Sequence, residues 1–241
     1  FLKNISVSKM IGKLSSKIFV TSKFIKYISI QKLDLKKTLL IPNNLDIDDF
    51  KNFTYQNLNK TTRVGIIGSI SPIKGQVKLI QLAKLFKGKK MRFYIIGNVS
   101  NNKSSIKYFK ILKNHIVDEN LEKQVIIKDF MSREEAFKSV DIIINFCEIE
   151  AFGRTIIEGM AAKKVVISVN RGAASELIFD NQNGFLFQPD DYSKISNIIE
   201  LLQNSNKLYK KIAKAGYLSV KKKYTSLPVK KYMNSIKQIL G

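Results

Sequence analysis

The stretch Glu150-Ala-Phe-Gly-Arg-Thr-Ile-Ile-Glu158-Gly-Met-Ala-Ala162 decides how this chain folds. It follows an apolar run, Asp141-Ile-Ile-Ile-Asn-Phe146, that reads as a buried strand. It then opens an apolar helix that leads to another short strand, Val165-Val-Ile-Ser168. One carboxylate precedes the helix start, a Phe-Gly pair marks it, and a second carboxylate sits about one turn in. Helix N-termini at the ends of parallel strands attract anions, because their first N–H groups have no intrahelical partner. Two carboxylates beside such a site can accept hydrogen bonds from sugar hydroxyls while the helix end holds a phosphate.

Outward from that stretch, strands and helices alternate. Arg63 to Ser69 reads as a strand ending in Gly, with a loop at Ser71-Pro-Ile-Lys-Gly75 and a helix over Gln76 to Phe86. Met91 to Gly97 is a second strand, Val125 to Ile127 a third, Asp141 to Phe146 a fourth, Val165 to Ser168 a fifth and Gly184 to Phe187 a sixth. Helices are expected over Ile106 to Ile116, Arg133 to Val140, 191–203 and much of 206–239. Alternation with continuous Ile/Val strands predicts an α/β fold: a Rossmann-like parallel six-stranded sheet with helices on both faces. Ligands then bind at the carboxyl ends of the strands. Before this unit, residues 1–14 read as the end of a basic amphipathic helix, Lys17 to Thr21 as a short strand and Ser22 as a helix start. Leu39 to Asp46 reads as a strand running into a turn, and the polar segment from Ile47 to Thr62 as a linker.

Composition narrows the class. The 241 residues are 44% hydrophobic and 25% charged, a globular balance, and no stretch approaches 18 uncharged apolar residues. Phe1 opens the chain without the graded pattern of a signal peptide, as expected of a partial sequence. Cys147 is the only cysteine, which excludes an internal disulfide framework and points to a reducing, cytosolic setting. The formal charge of +23 raises the question of nucleic acid. Only five of the 42 basic residues are arginine, at 63, 92, 133, 154 and 171, and the lysines are spread along the whole chain. Base-reading surfaces favour arginine forks, so no specific nucleic-acid partner is expected. Weak attraction to an anionic membrane face is. His115, the only histidine, lies on a polar helix and reads as a surface residue.

Three loops converge on the carboxyl edge. In Gly68-Ser-Ile-Ser-Pro-Ile-Lys74-Gly75, Gly68 allows close backbone approach and Lys74 supplies charge for a phosphate. An ordinary turn with a solvated lysine looks the same, and the loop matches neither the phosphate-loop pattern nor the dinucleotide fingerprint. Asp129-Phe130-Met131 suits either contact with a base or packing. In the opening stretch, Arg154 and Glu158 also have the spacing of a simple surface ion pair. Together these residues share one edge, which favours a site.

The set resembles the retaining, nucleotide-sugar-dependent glycosyltransferases of family 4, which have the GT-B architecture. Glu150 and Glu158 have that family's E-x7-E spacing. Ile41-Pro-Asn-Asn-Leu-Asp46 is similar to its interdomain segment, Gly68 to Gly75 to its glycine–lysine loop, and Gly172-Ala-Ala-Ser-Glu-Leu-Ile178 to its Gly-Gly-x-Pro-Glu element. Asn183-Gly-Phe-Leu-Phe-Gln-Pro-Asp190 resembles its Gly-Phe-Leu-x-x-Pro-x-Asp turn. The resemblance implies that residues 57–222 form the donor-binding domain, one half of a GT-B fold. Residues 1–56 would be a remnant of the acceptor domain with the linker, and 223–241 a helix packing back toward that domain.

By the same resemblance, Glu158 binds the ribose and Glu150 the transferred sugar. Backbone N–H groups near Phe152, Gly153, Arg154 and Thr155 face the diphosphate or sugar. Lys74 neutralises the leaving diphosphate, while Gly68, Ser69, Phe130 and Met131 complete the donor site. No metal or other cofactor is expected. The implied partners are a nucleoside-diphosphate sugar and a glycan or lipid-linked acceptor. The implied location is cytoplasmic, or peripheral at the cytoplasmic face of the inner membrane of a bacterial cell, where envelope polysaccharide is assembled. The departures are Ser69 where the family has an arginine, Phe146 and Cys147 for a Pro-Ser pair, Lys163 and Val165 for a Gly and a Pro, and Ala173 for a second Gly. Arg154 is the candidate to replace the arginine missing at 69. Alternative readings are an epimerase or phosphorylase of the same architecture, or a non-catalytic nucleotide- or glycan-binding module.

Overall fold

The structure, a computed structural model, describes residues 14, 15, 17–33, 38–58, 61–129, 131–225, 233, 234, 236 and 237. Residues 1–13 of the expected helix end and most of the helix expected over 223–241 fall outside them.

A parallel six-stranded sheet forms the centre. Two strands precede it: β1 (Ile18–Val20) and β2 (Thr38–Leu40) pair in parallel around helix α1 (Lys23–Leu33). The sheet strands are β3 (Thr62–Ile67), β4 (Met91–Ile96), β5 (Val125–Lys128), β6 (Ile142–Asn145), β7 (Val165–Val169) and β8 (Phe185–Phe187). Their order is β5-β4-β3-β6-β7-β8, so the chain reverses direction across the sheet between β3 and β6. That reversal opens a crevice at the carboxyl ends, the place where such sheets bind ligands. The helices are α2 (Gln76–Lys84), α3 (Lys103–Asp118), α4 (Arg133–Lys138), α5 (Arg154–Ala161), α6 (Ala174–Leu177), α7 (Tyr192–Asn204) and α8 (Asn206–Lys223).

Strand residues alternate between two cores. Ile142, Ile144, Val165, Ile167, Val64 and Phe93 face one, with Leu79, Leu112, Ile195 and Ile199 of the helices above them. Ile143, Val166 and Ile96 face the other, against Phe137, Ile156, Ile157, Met160 and Leu177. Burial on both sides is why these strands carry no polar face.

The segment read as a polar linker is not loose. Phe50 and Phe53 are buried in the second core, with Phe50 edge-on to Phe137 at 6.3 Å. Leu58 enters the first core, and Lys163 Nζ donates to the Phe53 carbonyl. Three apolar side chains spaced along a polar run are enough to pin it.

At the amino ends of the strands, Arg63 holds the buried Asp141 with Nη2–Oδ1 at 2.6 Å and Nε–Oδ2 at 3.1 Å. The Tyr209 hydroxyl donates to the Asp141 carbonyl at 2.7 Å. Lys164 lies nearby, 2% exposed, with Nζ 3.4 Å from Gln56 Oε1. Burial, partly offset by Asp141, pulls its pKa from 10.5 down to about 8. Between those two values the unfolded chain binds a proton that the folded chain does not, so stability rises over pH 8 to 10.5. Lys164→Met is expected to stabilise the protein at pH 7 by about 1–4 kcal/mol, the range found when buried charges give way to apolar groups. It should also remove that share of the alkaline rise, as read by urea unfolding of variant and parent at each pH.

Candidate functional site

The loop after β6 carries Glu150, and α5 begins four residues later. Glu150 is held from three directions. Its Oε1 accepts the Gly153 N–H at 3.0 Å, its Oε2 lies 3.4 Å from Lys74 Nζ, and its carbonyl accepts the Ala173 N–H at 2.8 Å. Gly172, at φ 58°, rests directly on the Glu150 backbone: a Cβ there would lie 2.6 Å from the Glu150 carbonyl oxygen. The loop after β7 therefore fixes the loop after β6.

Lys74 comes from the loop after β3, in a single 3-10 turn over Pro72–Lys74. Gln76, fully buried, shapes this loop: its Nε2 donates to the Ser69 carbonyl at 2.9 Å. At 3.4 Å the Lys74–Glu150 pair is looser than the ~2.7–2.9 Å of a tight charged hydrogen bond, so the ammonium keeps donors for another anion.

Glu158 lies one turn into α5, its side chain 12% exposed. Its Oε1 accepts from Arg154 Nε at 2.9 Å, and Arg133 Nε lies 3.7 Å away. Both arginines line a cavity of about 580 Å³ with Gly68, Ser69, Gly97, Met131, Phe137 and Glu158. Its floor is a close approach of two strand ends: a Cβ on Gly97 would lie 2.1 Å from the Gly68 carbonyl oxygen. The Arg154, Thr155 and Ile156 N–H groups belong to the first turn of α5, which has no intrahelical acceptor for them. Thr155 Oγ1 lies 3.4 Å from the Ile67 carbonyl, tying that turn to β3. Cys147, in the same loop as Glu150, is buried, which pushes its thiol pKa up and keeps it an unreactive packing residue.

The expected residues thus fall into two adjoining groups. Gly68, Ser69, Met131, Arg154 and Glu158 line the cavity, whereas Lys74, Glu150 and Gly153 are joined by the bonds at its β6 side. Phe130 lies outside the described residues. The Phe152 side chain points elsewhere: it is buried edge-on to Tyr224 at 6.0 Å and lines a second cavity of about 360 Å³ with Ser22 and Glu176. There Glu176 accepts the Lys23 and Phe24 N–H groups at 2.9 and 2.6 Å, and Ser22 Oγ donates to the Ala151 carbonyl. The β1–α1–β2 unit is thereby docked on the loop that carries Glu150. Among the described residues no three His, Cys, Asp or Glu side chains are grouped to hold a metal.

Sequence reasoning missed Gly97, Gln76 and Arg133. Gly97 had a signal, since Ile95-Ile-Gly97 repeats the Ile66-Ile-Gly68 that ends β3. Arg133 had one in its rarity.

Residues 48–219 match the pattern of the group 1 glycosyl transferases, and the chain belongs to that family. The chain is 26% identical over 186 residues to CapM of Staphylococcus aureus, a capsular polysaccharide biosynthesis glycosyltransferase, over 76% of this chain and 47% of the relative. It is 26% identical over 216 residues to a poly(ribitol-phosphate) alpha-N-acetylglucosaminyltransferase of the same species, over 85% of this chain and 41% of the relative. It spans about half the length of these curated relatives. A glycosyltransferase from Rickettsia africae superposes with TM-score 0.84 at 25% identity, over 100% of this chain and 68% of that one. Anabaena HepE, solved with UDP and glucose, superposes with TM-score 0.85 at 22% identity, over 98% and 66%. The fold is the Rossmann-like half of a GT-B glycosyltransferase.

Gly172→Ala is expected to lower the unfolding free energy by more than the ~1–2 kcal/mol of left-handed strain alone. Gly88→Ala, also at positive φ but with nothing within 4 Å of its Cβ, should cost only that strain. Equal losses in denaturant unfolding would show that Gly172 does not hold the Glu150 loop.

Proposed function

We propose that this chain is the donor-binding part of a retaining, family 4 glycosyltransferase that takes sugar from a nucleoside-diphosphate sugar. The acceptor is a glycan or lipid-linked chain of cell-envelope polysaccharide, and transfer requires a further domain across the cleft. The observation that carries this reading is the pairing of two acceptor carboxylates, Glu150 and Glu158, with a cationic edge made of Lys74 and the first turn of α5. HepE was also solved with UDP-glucose, which favours a nucleoside-diphosphate sugar as donor. The names of CapM and the poly(ribitol-phosphate) enzyme favour envelope polysaccharide as the product class.

In this reading the ribose hydroxyls donate to Glu158, and the diphosphate lies between the N–H groups of the α5 first turn and Lys74. As the bond from the sugar's anomeric carbon to the diphosphate breaks, negative charge grows on the leaving oxygen. A donor fixed in place stabilises that charge without reorganising, which is usually the largest single contribution to such a step. Glu150, held by Gly153 and Lys74, is placed to accept from the sugar hydroxyls and orient the ring. The protein's own cations neutralise the diphosphate in this scheme, with no metal.

UDP or GDP is expected to raise the melting temperature of this chain, and inorganic phosphate is not. Stabilisation by phosphate as well as by nucleotide would favour a phosphorylase. Glu158→Ala and Lys74→Ala should each weaken nucleotide binding by about 1.5–3 kcal/mol, the scale of a hydrogen bond to a charged group. Calorimetry in which neither does so would contradict the donor-site reading.

Contact with an anionic membrane face belongs to the same proposal. The lysines are evenly spread in sequence, but α8 gathers Lys207, Lys210, Lys211, Lys214, Lys221 and Lys222 on its exposed face. The helix contains no acidic residue and runs about 27 Å at 1.5 Å per residue. Anionic lipid attracts each such lysine by roughly 1 kcal/mol. Cosedimentation with vesicles containing phosphatidylglycerol, but not with phosphatidylcholine alone, is expected. It should fall at least about tenfold on changing Lys207, Lys211, Lys214 and Lys221 to Gln together; equal binding to both vesicle types would contradict it.

A further inference from the structure

Arginine is scarce in this chain, five of 42 basic residues, and its placement is selective. Most of the exposed ion pairs among the described residues are made by lysine, Lys78–Glu148, Lys84–Glu119, Lys89–Glu200 and Lys138–Glu134, with Arg133–Asp49 the exception. Arginine is found on two shielded carboxylates, while lysine, as Lys74, meets a third, Glu150. Arg63 holds Asp141, and two more arginines, Arg133 and Arg154, converge on Glu158.

Those two differ in what else they touch. Arg133 is engaged on several sides. Its Nη1 donates to Asp49 at 2.6 Å, its guanidinium lies 5.6 Å from the Phe50 ring, and its Nε is 3.7 Å from Glu158. Arg154 is engaged by Glu158 through Nε, while its side chain is 66% exposed. A guanidinium is a rigid planar fork, so the bond at Nε restricts its orientation while Arg154 lines the cavity with its Nη donors in no bond to Glu158. The same residue opens α5, whose first-turn N–H groups await an acceptor. Across the cavity, Gly68 and Ser69 offer no positive charge.

We propose that Arg154 is a diphosphate-binding residue of the donor site, held in orientation by Glu158. This rests on the donor-site reading above. A plain surface ion pair at i,i+4 spacing is the competing account, but it does not require arginine: at the other such pair, Lys138–Glu134, lysine fills that role. The geometry also assigns Glu158 two tasks, one toward the ribose and one toward the arginine that meets the phosphates.

The test compares a nucleoside diphosphate with its nucleoside. UDP and GDP are titrated calorimetrically, and uridine or guanosine by NMR, against the parent chain, Arg154→Ala, Arg154→Lys and Glu158→Gln, each first shown to be folded by circular dichroism. Arg154→Ala should weaken the diphosphate at least tenfold and leave the nucleoside within about twofold. Arg154→Lys should recover part of the loss, because a point charge replaces the fork. Glu158→Gln should weaken both ligands. Unchanged diphosphate affinity in Arg154→Ala, or an equal loss for diphosphate and nucleoside, overturns the inference while leaving the donor site standing. A parent chain that binds neither UDP nor GDP overturns the donor-site reading and this inference with it.

Discussion

The site depends on how tightly the loop after β6 is held. Glu150 contributes its carboxylate to the Gly153 N–H and to Lys74, and its carbonyl to the Ala173 N–H. Gly172 packs on its backbone with no room for a side chain. Loops from three strands, β3, β6 and β7, are thereby locked to one residue. In the donor-site reading this carboxylate meets a sugar hydroxyl, which a mobile loop could not ensure; two of the contacts that fix it, from Ala173 and Gly172, are backbone alone, so side-chain motion does not loosen them.

The same loop also receives the β1–α1–β2 unit. Ser22 bonds the Ala151 carbonyl, and Glu176 caps the first turn of α1. A carboxylate at a helix N-terminus satisfies otherwise unpaired N–H groups and the helix dipole together. On the far side of the site, Arg133 ties Asp49 and Phe50 of the connecting segment to the Glu158 cavity. The segment before the sheet therefore touches the candidate site at two places, through Ala151 and through Arg133.

Much of this was legible in the sequence. Continuous Ile/Val runs fixed the six parallel strands, because strands buried on both faces need no polar alternation. The spacing from Glu150 to Glu158 placed both carboxylates at the head of one helix. What the sequence left open was set by contacts distant along the chain. The burial of Phe50 and Phe53 depends on Phe137, more than 80 residues away, so their segment read as a polar linker. Arg133 reaches Glu158 only because α4 and α5 flank the same cavity. The lysine face of α8 emerges only once the buried positions Tyr209, Ile212, Ala213 and Val220 set the phase of the helix.

The central claim is that a nucleoside diphosphate binds at the carboxyl edge of the sheet, over the crevice between β3 and β6. Amide chemical shifts of the 15N-labelled chain, followed during titration with UDP or GDP, test it most directly. The account predicts saturable shifts at Gly68, Ser69, Gly97, Gly153, Arg154 and Thr155, with Arg63, Asp141 and Lys164 at the opposite edge unmoved. Shifts centred on that opposite edge would contradict it.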